Sequence, residues 1–260
     1  MQTPHLAVII MAAGQGKRMN NPDLSKVMHT LNGTPLIEHV TYLAQRLAPE
    51  RIVVIVGHCR EQVIAHLASV APEVRIAVQA EQLGTGHAIM QARALLEDFD
   101  GDVVILSGDA PLTRTDTLDA AISRHRAEAS VVTVLTALLD DPTGYGRVIK
   151  DDEGRIRYIV EQKDASEEEK TVREINSGIY VFQARPLFTA LSRITNDNAQ
   201  GEYYLTDVFE LFRRDGLPMI AELVDDENEI RGINTIAQLQ EMEAIHALMY
   251  GNQDVLETSE

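Results

Sequence analysis

The chain has 260 residues, of which 45% are hydrophobic and 24% charged, so it is long and apolar enough to bury a globular core. Its formal net charge of −17 argues against nucleic acid as a partner, because such binding depends on neutralising phosphates. The single cysteine excludes an internal disulfide and favours a reducing, cytoplasmic setting, and no apolar run approaches the roughly 20 residues that span a membrane, so no membrane contact is expected.

Short, apolar, β-branched segments alternate with amphipathic segments along the first half of the chain. The segments expected to form buried strands are 6–11, 52–56, 74–79, 102–107 and 130–136. The segments expected to form helices between them are 35–47, 60–69, 86–96 and 116–127. Because strands that alternate with helices form crossover units, this order predicts an α/β fold: a Rossmann-like, mixed but mostly parallel sheet flanked by helices.

The pattern changes in the second half of the chain, after about residue 140. Segments 146–150 and 155–161 flank a turn at 151–154, which predicts a β-hairpin. The remaining expected elements are strands at 175–182 and 218–223, helices at 186–192, 205–214 and 236–250, and a polar tail. Ligands of open α/β sheets bind beyond the carboxyl ends of the strands, so residues directly after strands are the first candidates for a site.

A glycine-rich loop follows the first expected strand. Gly14 and Gly16 fit the start of a dinucleotide fingerprint, but Met19 stands where its third glycine belongs, and the Walker spacing is absent. Backbone amides at the two glycines can bind phosphate oxygens, Arg18 can grip them through two hydrogen bonds, and Lys26 can act as a mobile charge. The alternative is an ordinary strand-to-helix turn with solvated cations.

Two further loops carry polar groups at strand ends. Asp109 follows the strand 102–107 and is a natural Mg²⁺ ligand beside bound phosphates, although it can equally cap the turn before Pro111. The loop after strand 74–79 contains Gln79 and Gln82, whose amides can recognise the edge of a base. Gly84 and Gly86 in that loop allow close approach to a flat ring, although a flexible loop at a helix start also explains the two glycines.

Three short motifs in the second half pair polar residues with expected strands. They are Gly144–Arg147, Glu161–Lys163 and Asn176–Gly178. Together they would supply the several hydrogen-bonding groups that a sugar needs on a rigid frame. Taken singly, each is more typical of a surface turn.

In combination these motifs resemble the sugar-nucleotide pyrophosphorylases, and in particular the uridylyltransferase domain of bacterial N-acetylglucosamine-1-phosphate uridylyltransferases. The similar segments run from about residue 6 to 236 in the order found in that family: 12–19 with Lys26, 79–88, 108–112, 140–147, 159–161, 174–178, 198–207 and 232–234. The resemblance implies one nucleotidyltransferase domain over 1–235, with a nucleotide-binding half at about 1–110 and a sugar-binding half at about 111–235. A C-terminal helix and tail follow at 236–260.

The resemblance also implies an activity: uridylyl transfer from UTP to N-acetylglucosamine 1-phosphate, for cell-wall and lipopolysaccharide precursor synthesis. Arg18 and Lys26 would be catalytic, and Mg²⁺ would be held by Asp109 and Asn234. The nucleotide would be bound by Ala12, Ala13, Gly14, Gly16, Gln79, Gln82, Gly84 and Thr85. The sugar phosphate would be bound by Gly146, Glu161, Asn176 and Asn234. The alternatives are another nucleoside triphosphate or sugar 1-phosphate, or a non-catalytic nucleotide-binding protein.

The sequence departs from the family pattern at three positions. Lys17 stands where threonine is usual, Ser25 where proline precedes the lysine, and Ser107 where tyrosine often precedes Gly-Asp. None of these changes removes a charged group. The sequence shows no hexapeptide repeat of the kind that forms the acetyltransferase β-helix of bifunctional relatives, so no acetyltransferase activity is predicted. The sequence does not indicate the oligomeric state.

Overall fold

A nine-stranded sheet runs through the computed structural model, which describes residues 5–19 and 21–250. The predicted polar tail, at 251–260, lies outside the described residues. The strands in chain order are β1 (Leu6–Ala12), β2 (Thr30–Leu31), β3 (Thr34–Pro35), β4 (Arg51–Val56), β5 (Arg75–Val78), β6 (Asp102–Ser107), β7 (Val132–Leu138), β8 (Arg147–Lys150), β9 (Ile156–Val160), β10 (Glu174–Gln183) and β11 (Met219–Leu223). The α-helices are α1 (Leu36–Arg46), α2 (Arg60–Val70), α3 (Thr85–Gln91), α4 (Thr115–Ala127), α5 (Ala184–Leu191), α6 (Asp207–Arg214) and α7 (Ile236–Tyr250).

The main row of the sheet has the order β11-β7-β10-β6-β1-β4-β5. Strand β1 pairs in parallel with β4 and β6, β4 with β5, and β7 with β11. Strand β10 pairs antiparallel with both of its neighbours, β6 and β7, and is the one reversed strand in this row. The predicted mixed, mostly parallel sheet is therefore confirmed. The predicted hairpin forms as β8 and β9, and it joins the sheet through β10.

Alternate residues of the central strand face two separate hydrophobic cores. On β1, Val8 and Ile10 face the core that α1, α2 and α4 cover, whereas Ala7 and Ile9 face the core that α3, α5 and α6 cover. All four side chains are fully buried. Burial on both faces explains why the strand is a continuous apolar run, and each large buried side chain contributes about 1.5–3 kcal/mol.

Two of the predicted boundaries differ from the structure for reasons that backbone hydrogen bonds show. Strand β7 starts two residues later than the predicted 130–136. The backbone amide of Ser130 instead donates to the carbonyl of His125 near the C-terminal end of α4, and that of Val131 donates to the carbonyl of Pro218 just before β11. The predicted helix 86–96 is α-helical only to Gln91 and tightens into a 3₁₀ turn at Arg93–Leu95.

No helix within the described ranges has both the length and the apolar character needed to cross a bilayer.

Candidate active site

A cleft of about 400 Å³ opens at the edge of the sheet where β1, β5 and β6 end. Its walls come from the glycine-rich loop after β1, the loop between β5 and α3, and the segment after β6. The lining residues are Met11, Ala12, Ala13, Gly14, Gln15, Lys17, Lys26, Val27, Gln79, Gln82, Gly84, Thr85, Ala88, Ser107, Asp109 and Glu202. The cleft therefore lies where the strand-end rule places a ligand.

The two glycines of this loop differ in their structural surroundings. Gly14 is exposed, and a Cβ atom on it would meet no heavy atom within 4 Å. Gly16 has a φ of +61°, and a Cβ atom on it would lie 2.7 Å from the Cβ of Lys26. Only glycine allows both this backbone conformation and this close approach. The loop thus leads into a single 3₁₀ turn, Lys17–Met19, and brings the backbone against Lys26.

Lys26 joins three distant parts of the chain. Its ammonium forms an ion pair with the carboxylate of Asp109 and donates a hydrogen bond to Oδ1 of Asn234, 2.9 Å away. Only 14% of the Lys26 side chain is exposed. A buried charge is stable only when it is paired, so this contact fixes the position of all three side chains.

Asp109 is held as a carboxylate. Burial alone would raise its pKa, but the charge of Lys26 and hydrogen bonds from Lys26 and Ser107 outweigh burial, so the pKa lies below its usual value. The backbone carbonyl of Asp109 also accepts a hydrogen bond of 2.8 Å from the amide of Ile233. That bond places the neighbouring Asn234 beside Asp109.

The side-chain oxygens of Asp109 and Asn234 both contact the ammonium of Lys26, so they converge on one point that a cation occupies. One carboxylate and one amide oxygen match the ligands that Mg²⁺ takes when phosphates and water complete its shell. Among the described residues, no group of three or more histidine, cysteine, aspartate or glutamate side chains could hold a metal ion by itself. The donor set therefore fits Mg²⁺ only as a partner of bound phosphate.

The loop between β5 and α3 is anchored by its own amides. The side chain of Gln79 donates a hydrogen bond of 3.0 Å to the carbonyl of Gly84, and Gln82 accepts one of 3.3 Å from Gln15. Gly84 has a φ of +107°, and a Cβ atom there would lie 2.5 Å from the carbonyl oxygen of Tyr203. The loop is therefore an ordered wall of the cleft, with Gln79 as its internal brace and Gln82 at its surface.

The predicted sugar-binding residues meet at the base of the β8–β9 hairpin. A Cβ atom on Gly146 would lie 3.5 Å from both the Cβ of Asn176 and Oε2 of Glu161. The amide of Asn176 donates a hydrogen bond of 2.9 Å to the carbonyl of Gly146. Thr206, for which no role was predicted, donates a hydrogen bond of 3.0 Å to Oε1 of Glu161.

Carboxylates crowd this second cluster. Burial and the nearby charges of Asp164 and Glu202 raise the pKa of Glu161, although the hydrogen bond from Thr206 acts in the opposite direction. Burial, followed by the charge of Glu161 and neighbouring carboxylates, raises the pKa of Asp207 to about 6. Glu202 links this cluster to the main cleft, because it also lines that cleft.

Most predicted site residues are brought together, but Arg18 is not. Arg18 is exposed, does not line the cleft, and forms no hydrogen bond or ion pair with any residue in the described ranges. Lys17, which had no predicted role, lines the cleft instead. Asn234 contacts Lys26 rather than the Gly146 cluster. Burial raises the pKa of Tyr145, the residue before Gly146, and the charges of Asp109 and Arg18 act on that pKa in opposite directions, so Arg18 lies within electrostatic range of the site without contacting it.

Two side chains that contribute to the clusters were missed for different reasons. Thr206 lies within the segment 198–207 that the family resemblance covers. The resemblance therefore includes this residue, but it does not predict the hydrogen bond to Glu161. Lys17 departs from the family pattern, so the resemblance could supply no role for it. Only the path of the loop places its side chain at the cleft.

Comparison with known proteins gives consistent matches. The nucleotidyl transferase family profile matches residues 7–228. Proteins described as "Bifunctional protein GlmU" are 45% identical in Corynebacterium efficiens, over 96% of this chain and 54% of theirs, and 50% identical in Burkholderia orbicola strain AU 1054, over 92% and 51%. The chain thus spans about half the length of the curated relatives it matches. A crystal structure of UDP-glucose pyrophosphorylase complexed with UDP-glucose aligns with a TM-score of 0.75 and 16% identity, over 94% of this chain and 99% of that one, which shows a shared fold.

Proposed function

The chain belongs to the nucleotidyl transferase family, and on that premise we propose that it transfers a uridylyl group from UTP to N-acetylglucosamine 1-phosphate. The products would be UDP-N-acetylglucosamine and pyrophosphate, which makes the chain a UDP-N-acetylglucosamine diphosphorylase that serves peptidoglycan and lipopolysaccharide precursor synthesis. The similarity to bifunctional GlmU proteins supports this choice of substrates. A cytoplasmic setting, which the lone cysteine favours, belongs to the same proposal.

The observation that carries the proposal is the meeting of Lys26, Asp109 and Asn234 at one end of the cleft. A cation, a carboxylate and an amide oxygen at one point can hold phosphate groups and a metal ion together. A glycine-lined loop forms the adjoining wall of this cleft, with Gly14 leaving its backbone open to a ligand. This combination suits a triphosphate better than an uncharged ligand.

The two halves of the proposed domain would bind different substrates. In the half at 1–110, the glycine-rich loop would hold the triphosphate, and Gln79, Gln82 and Gly84 would select uracil. In the half at 111–235, the cluster of Gly146, Glu161 and Asn176 would orient the amino sugar. Oε2 of Glu161 lies near Gly146 while Oε1 accepts a hydrogen bond from Thr206, so the carboxylate is held where it can accept hydrogen bonds from sugar hydroxyls.

The proposed reaction needs no general base. A phosphate oxygen of the sugar 1-phosphate, already anionic near neutral pH, would attack the α-phosphorus of UTP. The bond between the α-phosphorus and its bridging oxygen would break, and pyrophosphate would leave with the electron pair. Positioning and charge stabilisation supply most of the rate of such transfers. Lys26 would stabilise charge on the α-phosphate, and Arg18 would turn inward from its exposed position to the departing pyrophosphate.

We propose that Asp109 and Asn234 hold Mg²⁺ when the nucleotide is bound. Bound Mg²⁺ would supply positive charge to the phosphate oxygens. The lowered pKa of Asp109 keeps the carboxylate ionised, as a metal ligand must be. Lys26 would exchange its contact with this pair for a contact with phosphate, which its flexible side chain allows.

Pyrophosphate release with a panel of substrates tests the proposal. Four nucleoside triphosphates would each be combined with the 1-phosphates of glucose, galactose, glucosamine and N-acetylglucosamine. We expect the highest kcat/KM for UTP with N-acetylglucosamine 1-phosphate. A higher value for another pair would transfer the assignment to that pair. Binding of UTP without pyrophosphate release for any pair would favour a non-catalytic nucleotide-binding protein.

A further inference from the structure

Glu229 is a fully buried carboxylate that the proposed reaction does not use. It lies in a 3₁₀ turn, Glu227–Ile230, and only 1% of its side chain is exposed. A buried carboxylate is costly unless each oxygen finds donors. Its surroundings therefore reveal what it holds in place.

Within the described part of the chain, the hydrogen-bond donors to Glu229 all lie in the segment that follows Asp109. The guanidinium of Arg114 pairs with Oε1, and the hydroxyl of Thr117 donates a hydrogen bond of 2.5 Å to Oε2. The hydroxyl of Thr113 donates a bond of 2.7 Å to the backbone carbonyl of Glu229. Through both its side chain and its backbone carbonyl, Glu229 thus joins the 3₁₀ turn to the start of α4.

The chain that leaves this turn is pressed against Asp109. A Cβ atom on Gly232 would lie 3.2 Å from the carboxylate of Asp109, so that position has little room to move. Ile233 donates its amide to the carbonyl of Asp109, and the Asn234 side chain donates a hydrogen bond of 3.1 Å to the carbonyl of Gly232. The position of Asn234 thus follows from the position of the turn.

We propose that Glu229 is a positioning residue that holds Asn234 opposite Asp109 as a pair of oxygen ligands for Mg²⁺. This inference rests on the proposed function, because it assigns a role toward that metal site. Glu229 does not line the cleft and, among the residues that the structure describes, forms no hydrogen bond with Lys26, so it acts through the 3₁₀ turn and the Gly232–Asn234 segment. Its bonds to residues just after Asp109 tie the two ligand-bearing segments to one frame. Removing its charge would leave both ligands present but not held at a fixed separation.

The test compares the full chain with three variants. Glu229→Gln removes the charge that pairs with Arg114, and Thr117→Val removes one hydrogen bond without changing charge. Glu227→Gln is the matched control, because Glu227 is an exposed carboxylate on the same turn. Mn²⁺ binding to each protein in the presence of UTP would be titrated by electron paramagnetic resonance. Thermal unfolding and the Mg²⁺ concentration for half-maximal pyrophosphate release would be measured on the same samples.

For Glu229→Gln we expect Mn²⁺ binding to weaken about tenfold, the usual scale for a residue that orients metal ligands. The Mg²⁺ requirement should rise in parallel, while the KM for UTP at saturating Mg²⁺ stays unchanged. Thr117→Val should move Mn²⁺ binding in the same direction by less, and it decides the test if Glu229→Gln does not fold. The control should match the unsubstituted chain.

A lower unfolding temperature with unchanged Mn²⁺ binding in both variants would show that Glu229 only stabilises the fold, which overturns the inference. Weaker Mn²⁺ binding in the control as well would trace the effect to general charge and would also overturn it. If the unsubstituted chain bound no Mn²⁺ with UTP and released no pyrophosphate, the proposed function itself would fall. That outcome is distinct, because it does not involve the variants.

Discussion

The ammonium of Lys26 donates a hydrogen bond to the side-chain oxygen of Asn234 at 2.9 Å, although 208 residues separate the two in the chain. Asp109 completes the contact from a third segment. The fold thus places a cation in contact with two side-chain oxygens from distant parts of the chain. Under the proposed function, substrate binding would exchange this internal pair for contacts with phosphates, and Arg18 would turn inward to complete the site.

Replacing Lys26 with alanine should reduce kcat for pyrophosphate release by about 10²–10³-fold, the scale for removing one donor that stabilises transition-state charge. The fold should remain, but with lower stability, because Asp109 would be buried without its partner. A pyrophosphate-release assay would measure kcat, and urea unfolding would measure the free energy of unfolding. The matched control is Lys170→Ala, which breaks a surface ion pair with Glu167. A variant with near-normal turnover would remove Lys26 from the catalytic role.

Gly16→Ala should damage the site more than the fold. A left-handed conformation costs an alanine roughly 1–2 kcal/mol, and its Cβ would in addition displace Lys26. Gly154→Ala is the control, because Gly154 has a φ of +78° with nothing within 4 Å. Urea unfolding should show a loss of stability for both variants that is larger for Gly16→Ala, with turnover reduced only for Gly16→Ala. Equal turnover in the two variants would mean that the approach of Gly16 to Lys26 does not matter for the reaction.

The strands could be predicted because parallel strands buried on both faces are continuous apolar runs, as β1 and β6 are. The insertion of the antiparallel β10 between β6 and β7 could not, because strand order depends on distant pairing rather than on local pattern. The same limit applies to the site. Asn234 entered through family resemblance, and no periodicity indicates its contact with Lys26. Whether Lys17 or Arg18 faces the cleft depends on loop dihedrals, which neither composition nor spacing fixes.

Asp207 should make the protein less stable as the pH rises. Its pKa is about 6 in the folded state against 3.8 for an ordinary aspartate, so its favourable contribution is complete below about 3.8 and is lost as the pH passes 6. For a fully buried group a shift of this size corresponds to about 3 kcal/mol, and solvent screening of this partly exposed side chain lowers it to roughly 1–2 kcal/mol. Asp207→Asn should therefore stabilise the protein at pH 8, even after the loss of about 0.3–1 kcal/mol of favourable charge at the start of α6.

Urea unfolding of Asp207→Asn at pH 4, 6 and 8 would check this prediction. The gain should be largest at pH 8 and absent at pH 4, where the native aspartate is already protonated in the fold. Asp119→Asn, at an exposed position on α4, is the matched control for the loss of one charge. Destabilisation of Asp207→Asn at pH 8 would show that the carboxylate is held by favourable contacts that outweigh burial.

Lys17 and Arg18 should have separable effects on the reaction. Lys17 lines the cleft and also a neighbouring cavity beside His58, so it can contact the triphosphate of bound UTP. Loss of one hydrogen bond from a charged group costs about 1.5 kcal/mol, so Lys17→Ala should raise the KM for UTP about tenfold with little change in kcat. Arg18 is exposed and reaches the site only by turning inward, so Arg18→Ala should lower kcat more than it raises KM. Steady-state kinetics of both variants would decide, with Lys170→Ala as the control for the loss of a surface cation. If the pattern were reversed, Arg18 would bind the ground-state triphosphate, and the exposed position of its side chain would not be the one that binds UTP.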